Sequence, residues 1–133
     1  MNDSEKGRNA NLMGRYIARE IADSIGTQLE NKSSNECIYK NKKSVIKTSR
    51  LGNNLFGITK KMHERLDAVL LAIETNLHNF EVYYIPIDIL LKNCTTTGDN
   101  SGKGKVISYN VYDAMKIGKK IISVEIDLSD FDL

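Results

Sequence analysis

A chain of 133 residues is long enough for one hydrophobic core and too short for two. With 41% hydrophobic and 27% charged residues it reads as a folded domain and not as a disordered segment. The net charge of +2 names no partner, and the polar start MNDSEKGRN, with no apolar run near the roughly 18 residues of a membrane span, predicts a cytoplasmic protein without signal peptide or membrane partner.

Residues 1–10 read as a flexible N-terminal arm, 11–128 as a single domain and 129–133 as an acidic C-terminal tail. In ANLMGRYIAREIADSIG, Leu12, Met13, Tyr16, Ile17, Ile21 and Ile25 recur at spacings of one, three and four before Gly26. That spacing predicts an amphipathic helix with a glycine stop. GTQLENKSSN follows as a loop. ECIY and KSVIKTS, on either side of KNK, predict a β-hairpin, because β-branched residues alternate with polar ones around a turn. NNLFGIT is a third, shorter strand, and KKMHERL is one or two helical turns or a linking loop. DAVLLAIE and FEVYYIP are two strands joined by TNLHN, the first apolar almost throughout and so expected at the sheet centre, covered on both faces. Phe80, Tyr83 and Tyr84 of the second are expected in the core. IDILLKN is a short helix, CTTTGDNSGKGK a loop, and KVISYNVYDAMKIGKKIISVEIDL a strand, a helical turn and a last strand. The order predicts an α/β or α+β domain around a central mixed sheet flanked by helices.

Charge is unevenly spread. From Asn31 to Leu66 there are nine Lys or Arg against two acids, Glu36 and Glu64, whereas SVEIDLSDFDL has four acids and no base. A basic face for a polyanion and two solvated faces are both consistent with this. Cys37 and Cys94 are far apart and have no zinc-type spacing, so they are expected as free, buried thiols. His63 and His78 have no partner at ligand spacing and read as surface residues.

The chemical interest lies in the hairpin. Metal-assisted phosphodiester hydrolysis needs carboxylates for the metal, a water and a cation near the phosphate. Residues i and i+2 of a strand share a face about 6.6 Å apart, so an acid and a lysine at that spacing converge with an acid on the neighbouring strand. Here Glu36 opens the first strand and Lys47 closes the second, while the place two residues before the lysine is Val45. The neighbouring Ser44, Ile46 and Thr48 supply no acid in a shifted register either.

With MGRYIAREIADSIG, NKSSN, ECIYKNKKSVIKTSR, NNLFGIT and RLDAVLLAIE…FEVYYIP in this order, residues 11 to 91 resemble the restriction-endonuclease-like superfamily, known by the PD-(D/E)xK motif, and its small prokaryotic and phage members. The resemblance implies a metal-dependent DNA endonuclease in which Glu36 is the first metal-binding acid and Lys47 the catalytic lysine, with Val45 in the place of the second acid. Glu20 on the opening helix would then supply the missing carboxylate, with Asp67 as a weaker candidate. Mg²⁺ or Mn²⁺ would sit on Glu36 and Glu20. Ser49, Arg50, Asn53, Asn54, Lys60 and Lys61 would contact nucleic acid, with Arg65 extending the same phosphate track. Such nucleases often act as homodimers. Val45 favours the alternative, a member of the fold that has lost cleavage and binds DNA or a protein partner, for example in a restriction, defence or counter-defence system.

Overall fold

The computed structural model describes residues 3–31, 34–93, 96–99 and 106–131, without the side chains of 3–10 and 96–99. Helix α1 (Asp3–Ser24) leads into the hairpin β1 (Glu36–Tyr39) and β2 (Lys42–Ser49). Then come β3 (Leu55–Thr59), α2 (Lys60–Arg65), β4 (Ala68–Asn76), β5 (Asn79–Pro86) and α3 (Ile87–Asn93). The chain closes with β6 (Thr96–Asp99), β7 (Val106–Asn110), α4 (Val111–Ile117), β8 (Lys119–Glu125) and a 3-10 turn, Ser129–Phe131. The molecule is α+β. A mixed five-stranded sheet, ordered β1-β2-β4-β5-β8, is flanked by helices, and a second sheet is ordered β3-β7-β6.

Local chemistry explains most of these elements. The apolar stripe of α1 is buried at Ile17, Ala18, Ile21 and Ala22, and the helix stops where Gly26 takes φ 82°. There Thr27 N bonds Ala22 O at 2.9 Å and Gly26 N bonds Asp23 O at 3.3 Å, the paired closure of a glycine-capped helix end. The β1-β2 turn places Lys40 at φ 48° and Asn41 at φ 66°, as a two-residue primed turn requires. Thr59 caps α2 by accepting from Met62 N, and Asn110 caps α4 by accepting from Asp113 N.

β4 is the centre of the main sheet. It runs parallel to β2 and antiparallel to β5, and Ala68 through Glu74 are all buried, which is why DAVLLAIE carries almost no polar residue. Side chains alternate between two apolar clusters. Ile46, Leu70, Ala72, Phe80 and Val82 face α1 and the C-terminal Ile126 and Leu128. Val45, Val69, Leu71, Ile73 and Ile85 face the second sheet and the shorter helices. The β2-to-β4 crossover through β3 and α2 therefore lies on the face opposite α1.

Three expectations change. The segment expected as an arm is helical from Asp3, because Glu5, Lys6, Arg8 and Ala10 are good helix formers ahead of an apolar stripe that starts only at Leu12. Within the expected glycine-rich loop, Thr96–Asp99 pairs with β7 as a short strand, since threonines suit a pleated edge; residues 94–95 and 100–105 of that loop, with Cys94, lie outside the described residues. Of the expected tail, residues 129–131 form the 3-10 turn, and Phe131 packs on Tyr16 with ring centroids 5.4 Å apart. Phe80 is core, as expected, while Tyr83 and Tyr84 are only partly buried. No helix among the described residues is long and apolar enough to cross a membrane.

Candidate functional site

The hairpin register puts Glu36 directly opposite Val45. Val45 is buried in the cluster on the second-sheet side, so Glu36, Val45 and Lys47 belong to one face of the sheet, as the i, i+2 spacing predicted. β1 begins at Glu36. Beyond that pair, among the described residues, the Ile46 N to Asn35 O bond joins the flank of β2 to the incoming loop, and a cavity of about 550 Å³ opens there. Its wall is made by Asn11, Gly14 and Arg15 of α1, Ser34 and Asn35 of the loop, Val45, Ile46 and Lys47 of β2, and Met62 of α2.

The electrostatics of this cavity are one-sided. Lys47 and Arg15 line it, and none of its described lining residues is an acid. Burial pulls the Lys47 ammonium below the usual lysine pKa, and among the described residues no carboxylate pairs with it. The Arg15 guanidinium is steadied by donating to the carbonyls of Ser34 and Asn31, both at 3.3 Å. Ser34 Oγ and Asn35 Oδ1 are buried side-chain atoms without a hydrogen-bond partner. A cavity with two cations and the unspent Ser34 hydroxyl suits an anion carrying several oxygens.

Glu36 is held elsewhere. Arg65 of α2 grips it in a two-pronged ion pair, Nη1 to Oε1 at 2.5 Å and Nη2 to Oε2 at 2.7 Å. These bonds keep the Glu36 carboxyl below its ordinary range against the opposing effect of burial. It lines a smaller, separate pocket with Glu30, Cys37, Lys43, Ser44, Arg65 and Leu66. Glu20 lies near the Tyr16 hydroxyl, whose pKa is raised by burial first and then by the charges of Glu20, Asp127 and Asp130. It thus sits beside the C-terminal segment, on the α1 side of the sheet. Glu36 and Glu20 line no common pocket, and among the described residues no group of three or more His, Cys, Asp or Glu could hold a metal. Asp67 is exposed at the head of β4, where Oδ2 accepts from Lys43 N at 2.9 Å.

The other expected contacts divide by burial. Ser49 is 2% exposed and donates to Asn53 O at 3.3 Å, so it faces the turn and not solvent. Arg50 donates through Nε to the buried Glu74 at 2.6 Å and touches Met13 Sδ with Nη1. Asn53 and Asn54 are exposed and build the turn between β2 and β3, Asn53 N bonding Arg50 O at 3.0 Å. Lys60 and Lys61 are exposed at the start of α2. His63 is no plain surface residue. Its Nδ1 lies 2.9 Å from Thr59 O and its Nε2 2.6 Å from the hydroxyl of the fully buried Tyr109, so Nδ1 carries the proton and Nε2 accepts from Tyr109.

Arg15, Ser34, Asn35 and Glu74 were not picked out as site residues by sequence reasoning. Arg15 had one readable signal, its place four residues after Asn11 on the same side of α1. Glu74 had another, as an acid placed directly after the six apolar residues 68–73. The chain matches no protein-family model, no curated protein and no solved structure.

Proposed function

We propose that this chain is a nucleic-acid-binding module on a nuclease-like α+β fold, in which Lys47 and Arg15 hold a backbone phosphate and no metal-dependent cut is made. The observation that carries this reading is the Lys47 cavity, which brings two cations together without a carboxylate among its described lining residues. The order of helix, Glu36 hairpin, Lys47, and the strand pair ending at Ile85 and Pro86 supports a restriction-endonuclease-like origin for the scaffold.

An unpaired, partly desolvated ammonium destabilises the free protein, and a phosphate oxygen is the group that would compensate it. Arg15 is already fixed by two carbonyls and has N–H groups left for a second phosphate oxygen. The Ser34 hydroxyl adds a donor, and the Asn35 amide adds another when its Nδ2 is turned inward. Arg65, by neutralising Glu36, removes a negative charge that would repel the polyanion.

The test is binding of a fluorescein-labelled DNA duplex, followed by anisotropy in EDTA, beside incubation of supercoiled plasmid with Mg²⁺ or Mn²⁺. The expected result is salt-dependent binding indifferent to EDTA, weakened about tenfold or more in Lys47→Met, as loss of one charge-assisted contact predicts. No nicking is expected. Metal-dependent nicking that disappears in Glu36→Gln would overturn the non-cleaving reading, and equal binding by the Lys47→Met protein would remove the cavity from the account.

A further inference from the structure

A second cationic site lies at the other end of β2. Lys42 opens that strand and Lys47 nearly closes it, about 17 Å away along an extended chain, and the two belong to opposite faces of the sheet. On the α1 side, Tyr39 from the end of β1, Tyr84 from β5 and Ile121 from β8 line a depression of about 270 Å³ with Lys40, Lys42 and Lys119. Residues from both ends of the described sheet thus meet in one place.

The geometry of the aromatic pair is defined. The rings of Tyr39 and Tyr84 have centroids 6.0 Å apart and are inclined at 47°. Lys40 Nζ lies 5.5 Å from the Tyr39 centroid, brought there by the positive φ values of Lys40 and Asn41 in the hairpin turn. Both tyrosines are partly buried, and among the described residues neither hydroxyl has a hydrogen-bond partner. Lys40, Lys42 and Lys119 are exposed and form no ion pair among the described residues. The neighbouring acids are Asp67 and Asp88, which line an adjoining cleft with Lys42 and Tyr84. They leave the aromatic depression itself without an acidic lining residue.

Aromatic faces, free hydroxyls and a ring of flexible cations together favour a ligand that is flat, polar at its edge and anionic on one side. A nucleotide has those properties, its base stacking on tyrosine and its phosphate drawing lysine. We propose that Tyr39 and Tyr84 form a base-stacking platform, with Lys40, Lys42 and Lys119 around the phosphate of the same nucleotide. The site is independent of the Lys47 cavity and stands or falls without it. A tilted pair at a sheet margin fills space, but a merely structural pair gives no reason for three unpaired lysines to converge on it.

The chain has no tryptophan and six tyrosines, so its own fluorescence includes Tyr39 and Tyr84, and the part of the quenching that disappears in Tyr39→Leu belongs to the platform. The full chain is titrated in EDTA with octathymidylate and separately with thymidine monophosphate. The variants are Tyr39→Leu, Tyr39→Phe and a double Lys42→Gln, Lys119→Gln protein, each checked for folding by circular dichroism. The expected result is fluorescence quenching and an affinity that falls about tenfold in Tyr39→Leu, as loss of one stacked base predicts, while Tyr39→Phe binds as before. The double lysine variant lowers the salt slope for the oligomer by about 0.7, the one phosphate of the stacked nucleotide. Octathymidylate binding much more tightly than the monophosphate identifies a strand as the source, and equal affinities identify a free nucleotide. No binding of either probe, or unchanged affinity in a folded Tyr39→Leu protein, would overturn the platform, whatever the duplex does at Lys47.

Discussion

Lys47→Met separates a lysine kept for a ligand from one kept for the fold. Methionine reproduces the length of the side chain and removes the charge, leaving the strand and its neighbours in place. In the native protein the ammonium is drawn out of water and lacks a described carboxylate partner, so its removal relieves a penalty. The adjoining cavity of about 550 Å³ still gives it some solvent, which holds the gain to about 1 kcal/mol, well under the several kcal/mol of a fully buried ion. For a domain of this size that corresponds to a rise in Tm of about 4 °C. The pH dependence has a definite sign. A lysine whose folded pKa lies below its unfolded value of 10.5 favours folding only once deprotonated. Native stability should therefore rise, relative to Lys47→Met, as pH climbs through the lowered value towards 10.5, and the gap between the proteins should close. The assay is thermal unfolding by circular dichroism from pH 6 to about 10.5, paired with duplex anisotropy across a salt series, where losing one phosphate contact lowers the slope by about 0.9. A variant that loses stability and keeps its DNA affinity would refute the reasoning, because Lys47 would then serve the fold.

Four other outcomes follow from the structure. Glu74 is 3% exposed and accepts from Arg50 Nε, Leu51 N and His78 N. Glu74→Gln should cost about 3 kcal/mol by urea unfolding, the low end for a broken buried pair because Arg50 keeps some solvent. Burial raises the Glu74 pKa but its three donors outweigh burial and leave it lowered, and Arg65 lowers Glu36. Their stabilisation is complete above about pH 4.5 and is lost as pH falls through the lowered values, so urea midpoints should drop below that pH, less steeply in Glu74→Gln. Gly118→Ala would set a Cβ 2.7 Å from Ile85 Cγ1 and 3.1 Å from Ala114 O; a loss of about 1–3 kcal/mol is expected, and an unchanged urea midpoint would show that α4 shifts freely. The Cys37 thiol, pushed up to about 11 by burial first and by the charge of Glu30 second, should react with a disulfide reagent at pH 8 only when the protein unfolds, as read in a Cys94→Ser background.

The amino-acid sequence by itself determined the order of most elements from α1 to β5, though not the helical start at Asp3 or the edge strand β6. Apolar spacing in α1, unbroken apolarity in β4 and the KNK turn act over a few residues, and they leave local signatures in the chain. The face shared by Glu36, Val45 and Lys47 was legible too, because strand alternation needs only a register. Tertiary structure decided what those side chains meet. Arg65 reaches Glu36 across 29 positions and Arg50 reaches Glu74 across 24, so two residues that read as phosphate contacts became partners of acids. Arg15 came to Lys47 because β1 begins two positions short of it and α1 passes the gap. Tyr39 and Tyr84 came together because the sheet sets β1, β2, β4 and β5 side by side. Such meetings depend on the path of crossovers between elements. Charge and aromaticity alone do not encode that path, since one basic run fits a solvated face, an internal ion pair or a phosphate site until folding selects its neighbours.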